Sequence, residues 1–343
     1  MRCIETIHAQ GHVLCHDITV IVRGVKKGVA FKKGHVVTEE DIPELLRLGK
    51  DHLYVWEKDE SMLHEDEAAA ILRDVCMGQN MSPSLPSEGK IELTADCDGL
   101  LVIDSARMLA VNSIPDVMIA SRHGMTPVKK GDKLAGTRVI PLVIGKDVMQ
   151  RVREVAGDRP LMDVLPFRPL RCGIVTTGSE VFYGRIQDTF TPVVEQKLAE
   201  YGMTVIGHER CPDDRETIIA AIHRLRDMGA ELILTTGGMS VDPDDRTPAA
   251  IRDSGARVVT YGAPVLPGAM MLIGYLPGVD GKEIPVLGLP GCVMYAKRTI
   301  FDLVLCRVAA GVEIVREDIV KLGEGGLCLN CPVCTYPNCG FGK

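Results

Sequence analysis

Aromatic residues make up only 4% of this 343-residue chain, with a single tryptophan. The 46% of residues that are hydrophobic must therefore build an aliphatic core. No apolar run approaches the roughly 18 residues that a membrane-spanning helix requires, so no membrane association is expected. The opening MRCIETIHAQGHVLCHD lacks the basic and then apolar layout of a secretory signal, and the expected location is the cytoplasm. Basic residues are outnumbered by acidic ones, 39 to 46, and a formal charge of -7 argues against a general nucleic-acid binder.

Two stretches stand out against this background. Gly173 to Asp188 reads GIVTTGSEVFYGRIQD, and Glu231 to Thr247 reads ELILTTGGMSVDPDDRT. Each begins as an apolar strand, breaks at glycine beside hydroxyls, and ends in carboxylates. In a parallel sheet the carboxyl ends of strands open onto the ligand crevice, and glycine lets backbone N–H groups approach a phosphate. Two such ends in one domain predict one shared anionic ligand.

Residues 1–165 read as an accessory region, β-rich and of α+β class. Short β-like runs such as Ile18 to Val22 come first, then a helix with apolar positions at Ile42, Leu45, Leu46 and Leu48 that stops at Gly49. A strand from His52 to Trp56 and a helix over 62–78 follow. MSPSLPSEG, 81–89, reads as a linker or long turn that could divide two small lobes. The apolar runs Ile91 to Leu93, Gly99 to Ile103, Val117 to Ile119 and Val139 to Ile144 predict strands. His8, His12, Cys15 and His16 match no defensible metal-ligand spacing. Lys129, Lys130, Lys133 and Arg138 read as solvated loop cations.

From 166 to 311 the pattern alternates. Gly173 to Thr177, Met203 to Ile206, Leu232 to Leu234, Arg257 to Thr260 and Ile284 to Leu289 predict strands. Helices are expected from Thr191-Pro192 to Gly202, around Ile218 to Leu225, and from Cys292 to Ala309. This predicts an α/β domain with a doubly wound, mainly parallel sheet. No GxGxxG follows its first strand, which removes support for a dinucleotide oxidoreductase.

The chemistry-bearing residues gather where the strand ends should meet. Glu180, Asp188, Asp213, Asp214, Asp242, Asp244 and Asp245 could supply magnesium ligands, because magnesium takes one or two carboxylates together with substrate phosphates. Capping competes for some: Asp213 stands three residues before Glu216, and Asp244 or Asp245 could cap a helix near Pro248. Arg185 and Arg246 could pair with phosphate oxygens. Thr177, Ser179, Ser240 and Thr247 supply hydroxyls. The turn Gly288-Leu289-Pro290-Gly291 offers a further backbone approach.

Of twelve cysteines, Cys328, Cys331, Cys334 and Cys339 form a C-x2-C-x2-C-x4-C array in the tail, 312–343. The others are scattered and read as small buried apolar residues. The array predicts a bound [4Fe-4S] cluster or zinc, with free thiols as the alternative. Gly323, Gly325 and Gly326 suggest a flexible arm that could serve docking or redox sensing.

In sequence order, TTGSEVFYGRIQD, CPDD, TTGGMSVDPDDRT and GLPG resemble the domain shared by molybdopterin adenylyltransferases and molybdopterin molybdenumtransferases, over about 166–311. KKGHVVTEEDIPELLRLGKDHLYV resembles, less tightly, the accessory lobes of the molybdenumtransferase. The resemblance implies molybdopterin or its adenylate as ligand, recognised through Gly178, Glu180, Asp188, Gly237, Gly238, Ser240 and Asp245, with Asp214 matching the family's acid after the second strand. It implies magnesium-dependent phosphoanhydride cleavage with molybdate insertion, and a homodimer serving a client molybdoenzyme. Glu180, Asp188, Asp214 and Asp245 would act in catalysis, Asp188 and Asp245 on magnesium. The phosphate and pterin would rest on Thr177, Gly178, Ser179, Arg185, Gly237, Gly238, Ser240, Arg246, Thr247, Gly288, Pro290 and Gly291. Where the transferases carry a KPGKP-like motif, this chain reads Leu266-Pro267-Gly268-Ala269-Met270, without either lysine. A non-catalytic carrier or sensor of the cofactor is therefore the alternative, and an electron-transfer module built on the tail a third reading.

Overall fold

The computed structural model describes residues 2–22, 26–55, 59–240, 242 and 245–343. The chain forms two compact units. The first is drawn from the stretches up to Asp96, Ile103–Arg122 and Gly131–Asp163; the second comprises Cys97–Val102, His123–Lys130 and Val164–Lys343.

In the first unit, Met81–Pro83, Lys90–Ala95, Lys133–Val139 and Val117–Ser121 form a four-stranded sheet in that order. Alternation along Lys90–Ala95 buries Ile91, Leu93 and Ala95. The helix Glu65–Cys76 buries Ala68, Ala69, Ile71, Leu72 and Cys76, and begins at a capping box in which the His64 N–H donates to Glu67 at 2.8 Å. A separate small core joins Ala9, Leu14, Ile18, Val37, Leu45 and Leu53.

One reading of this region is corrected. Met62–His64 is a strand paired with Val143–Gly145, so the expected helix starts three residues late. Met81–Pro83 is a strand paired with Lys90–Ala95, and the run after it closes a hairpin, the long turn of the two alternatives. Pro83, which lacks an N–H, is accommodated because its strand lies at the sheet edge. Trp56 lies outside the described residues, and the strand ends at Val55.

The second unit is built on a six-stranded sheet. Its elements are β1 (Arg171–Thr177), α1 (Ser179–Phe182), α2 (Thr191–Ala199), β2 (Thr204–Cys211), α3 (Arg215–Asp227), β3 (Leu232–Thr236), α4 (Thr247–Asp253), β4 (Arg257–Tyr261), β5 (Leu272–Pro277), β6 (Glu283–Leu289), α5 (Ile300–Ala309) and α6 (Arg316–Val320). The strand order is β2-β1-β3-β6-β5-β4. Pairs β1/β2, β1/β3 and β3/β6 are parallel, while β5 pairs antiparallel with both β6 and β4.

Side chains alternate across this sheet and recruit helices to both faces. Cys172, Ile174, Leu232, Leu234, Leu287 and Leu289 share one core with Val194 and Leu198 of α2 and with Phe301 and Val304 of α5. Val175, Ile233 and Val286 share the other with Ile218, Ile222 and Leu225 of α3 and Ala250 and Ile251 of α4. Burial on both faces explains the unbroken apolar strands. The antiparallel strand β5 escaped the sequence reading. The closing helix is also shorter than expected: Gly291–Met294 is a single 3-10 turn, and α5 starts only at Ile300, behind a Thr299–Asp302 capping box.

The cysteine-bearing tail is packed, not an arm. Leu266 and Leu327 form a bridge in which the Leu266 N–H donates to the Gly326 carbonyl and the Cys328 N–H to that of Leu266, each at 2.8 Å. Phe341 is 6% exposed within the β1/α5 core. The tail glycines serve close backbone contact: a Cβ on Gly325 would meet the Lys343 carbonyl oxygen at 2.1 Å, and one on Gly326 the Leu322 oxygen at 2.3 Å.

Candidate functional site

The parallel register brings Thr177, Cys211, Thr236 and Leu289 to one edge of the sheet, because Thr177 pairs with Cys211, Thr176 with Thr236, and Thr236 with Leu289. Two glycine turns leave from that edge. Gly178 has φ +135, Gly237 +86 and Gly238 +55. At Gly237 a Cβ would lie 2.1 Å from the Thr177 carbonyl oxygen, so the two turns touch only because this residue is glycine. Gly288 is tight for another reason: a Cβ there would meet Met239 at 2.5 Å.

Buried hydroxyls tie the turns together. The Thr177 hydroxyl lies 3.0 Å from that of Thr247 and donates to the Thr236 carbonyl at 3.2 Å. Thr236 donates to Thr176 at 3.3 Å. The Thr176 hydroxyl in turn lies 2.9 Å from His208 Nε2 and 3.2 Å from the Thr191 hydroxyl. The Ser179 N–H donates to Asp213 at 2.8 Å, pinning the start of α1 to the turn after β2. Tyr261 donates its hydroxyl to the carbonyls of Met239 and Ser240, 2.9 and 3.1 Å away, and holds the far end of the second turn.

The acids divide by what their oxygens do. Asp188 Oδ1 accepts from the N–H groups of Phe190 and Thr191 at 2.9 and 3.0 Å, and Oδ2 accepts from the Thr191 and Thr176 hydroxyls at 2.6 and 3.3 Å. Burial opposes its ionisation, but these hydrogen bonds prevail and hold its carboxyl below the usual range. Four accepted bonds occupy the acceptor sites of a carboxylate, so direct magnesium ligation by Asp188 does not fit this arrangement. Asp214 is the N-cap of α3, accepting from the Thr217 N–H at 2.9 Å and hydroxyl at 2.6 Å. The cap falls one residue after Asp213, which serves Ser179 instead. Asp245 accepts from the Asp242 N–H at 3.2 Å, and the N-cap residue of α4, Arg246, makes no side-chain cap. Asp244 lies outside the described residues. Glu180 is exposed on α1.

Asp245 stands near the phenol of Tyr261: burial first, and then the charge of Asp245, push that phenol up. Burial and the nearby Arg210 lower the His208 imidazole against the pull of Asp188. It faces the buried threonines as a neutral hydrogen-bonding group. Arg185 and Arg246 are exposed, with the Arg185 guanidinium 5.4 Å from the Tyr183 ring centroid. Among the described residues, no three His, Cys, Asp or Glu side chains gather as a single metal ion requires. Magnesium does not need three, since it keeps waters and takes one or two carboxylates with phosphate.

His208, Thr191 and Tyr261 were not singled out from sequence. The strand carrying His208 was expected to stop at Ile206, because His208-Glu209-Arg210 is polar; it runs to Cys211 as the edge strand of the sheet. The four tail cysteines line one cavity of about 450 Å³, bounded also by Pro267 and by Tyr295 to Arg298, which follow the Gly288–Gly291 turn in the chain.

Fold and turns define an α/β domain with glycine turns gathered at the carboxyl edge of its parallel strands. Residues 173–310 match the family described as "Probable molybdopterin binding domain". Residues 3–57 match a "Domain of unknown function (DUF8806)". A molybdopterin molybdenumtransferase from Synechococcus elongatus is 27% identical over 201 residues, 55% of this chain and 47% of that protein. A CinA-like protein from Mycobacterium avium is 40% identical over 77 residues, 22% of this chain and 18% of that one. The chain thus spans about half or less of the curated relatives it matches. The tungsten cofactor synthesizing protein MoaB from Pyrococcus furiosus is 19% identical with a TM-score of 0.34, over 41% of this chain and 92% of that structure. Among the described residues, no helix is long and apolar enough to cross a membrane.

Proposed function

We propose that the second unit binds molybdopterin or adenylated molybdopterin by its phosphates and, with magnesium, promotes phosphoanhydride cleavage coupled to molybdate insertion. The observation that carries this reading is the joining of the 177–179 and 237–240 turns, through Gly237 and the Thr177–Thr247 contact, at the edge where β6 ends in Pro290-Gly291. Backbone N–H groups of Gly238 and Gly291 would hold the phosphates, with Ser240, Arg185 and Arg246 at the rim. Asp245 and Glu180 would hold magnesium, which neutralises phosphate charge when bound. Asp188, with Thr176 and His208, would set the shape of the β1 end without touching the metal, and Asp214 would anchor α3. The named relative in cofactor biosynthesis supports the reading. A homodimer and a client molybdoenzyme belong to the same proposal.

One observation favours a non-catalytic carrier. The Leu266–Gly268 loop has no lysine, and its backbone is engaged by Gly326 and Cys328. Anaerobic incubation with adenylated molybdopterin and magnesium, with and without molybdate, separates the two. Molybdate-dependent AMP release supports the enzyme, tight binding without release supports the carrier, and neither outcome would refute the pterin reading itself. No binding would.

A further inference from the structure

We propose that Cys328, Cys331, Cys334 and Cys339 hold an iron–sulfur cluster of the [4Fe-4S] type in the cavity they share. The proposal is independent of the pterin reading and concerns a different part of the second unit. Its first support is spacing: C-x2-C-x2-C is a run used by cluster-binding proteins, in which thiolates ligate the irons. Its second is tertiary. All four cysteines border one cavity of about 450 Å³, and none is in a disulfide.

A cubane takes one cysteine at each iron, and four cysteines border this cavity. Tetrahedral zinc would instead draw four sulfurs to within about 2.3 Å of one point, an outcome that metal and sulfide analysis distinguishes.

The wall is built rather than loose. The Lys297 ammonium donates to the Cys331 and Pro332 carbonyls at 3.2 and 2.8 Å, fixing the loop between two of the ligands. The Asn338 N–H donates to the Thr335 carbonyl at 2.7 Å, forming the turn before Cys339. Tyr336 lies between Cys334 and Cys339; its hydroxyl donates to the Asp302 carbonyl at 3.3 Å, and the Arg298 guanidinium sits 5.1 Å from its ring centroid. Leu327, Leu329 and the buried Phe341 supply apolar lining.

The test is metal and sulfide analysis of the full chain purified anaerobically and reconstituted with ferrous iron and sulfide. About four iron and four sulfide per chain, with broad visible absorption that bleaches on reduction, is the expected result. Cys331→Ser with Cys334→Ser should lose both the iron and the absorption, while Cys3→Ser retains them. Since the double variant could misfold, alkylation of the native chain provides a second measurement: the four tail cysteines should be protected when loaded and modified after oxidative loss of iron. Zinc at about one per chain without sulfide, no metal after reconstitution, or equal alkylation in both states would overturn the proposal.

Discussion

The Thr177 hydroxyl meets that of Thr247 at 3.0 Å across seventy residues of chain. The contact joins the turn after β1 to the start of α4, and Gly238 packs against it: a Cβ on Gly238 would lie 2.7 Å from the Thr247 hydroxyl and 3.3 Å from that of Thr177. Both threonines are nearly inaccessible, at 3% and 0% exposure. Buried hydroxyls of this kind must be paired, and here each finds its partner on the other turn. The proposed phosphate site is thereby a consequence of packing between two sequence motifs.

Substitution of Gly237 by alanine should break that packing. The residue has φ +86, and the added methyl would sit 2.1 Å from a backbone oxygen. A loss of about 1–3 kcal/mol in urea denaturation is expected, together with weakened pterin binding in a titration. A variant of unchanged stability and affinity would mean that the turns do not meet in this way.

Asp188→Asn should reveal a structural carboxylate through its pH dependence. The folded-state pKa of Asp188 is depressed, so its contribution is fully present above the unfolded value of about 3.9 and is lost as pH falls through the folded value. Near pH 7 the variant should be less stable by about 1–3 kcal/mol. The gap should close as both proteins are acidified. A gap that persists in acid would assign the loss to something other than the charge.

Asp214 and Asp245 should separate cleanly. Asp214→Ala removes the α3 cap and should lower the melting temperature by a few degrees while leaving pterin affinity intact. Asp245→Ala should change stability little, yet abolish magnesium-dependent AMP release. Loss of release in the Asp214 variant, with folding and affinity preserved, would return that residue to the chemistry.

Phe341→Ala tests the packing of the tail. The ring is 6% exposed, and truncating a buried phenylalanine costs about 3–5 kcal/mol where the cavity cannot collapse. Limited proteolysis should then cut the tail, which resists in the parent chain. Indifference to the substitution would mean that the tail is mobile in solution.

Much of the second unit was legible because its signals are local. Leu232 to Leu234 reads as a buried strand, which the structure extends to Thr236, and Thr191-Pro192 announces a helix start. Strand β5 was missed for want of such a signal: Leu272–Pro277 begins directly after Met270-Met271 and carries no turn residue at its start. The closing helix was overextended because Val293 is buried like a helical residue, although the backbone there makes only one 3-10 turn.

By itself the sequence determined the order of strands and helices, the glycine turns that permit close backbone approach, and the spacing of the four cysteines, since propensity, apolar period and φ restrictions act over a few residues. Only tertiary structure decided which partners the acids take. Asp188 accepts from Thr176, Thr191 and Phe190, Asp213 from Ser179, Asp214 from Thr217 and Asp245 from Asp242. A carboxylate's role depends on the donors around it, and some of those donors arrive from strands and turns distant in the chain. The same holds for the tail, whose glycines suggested freedom until close contacts with Leu322 and Lys343 gave them a packing role.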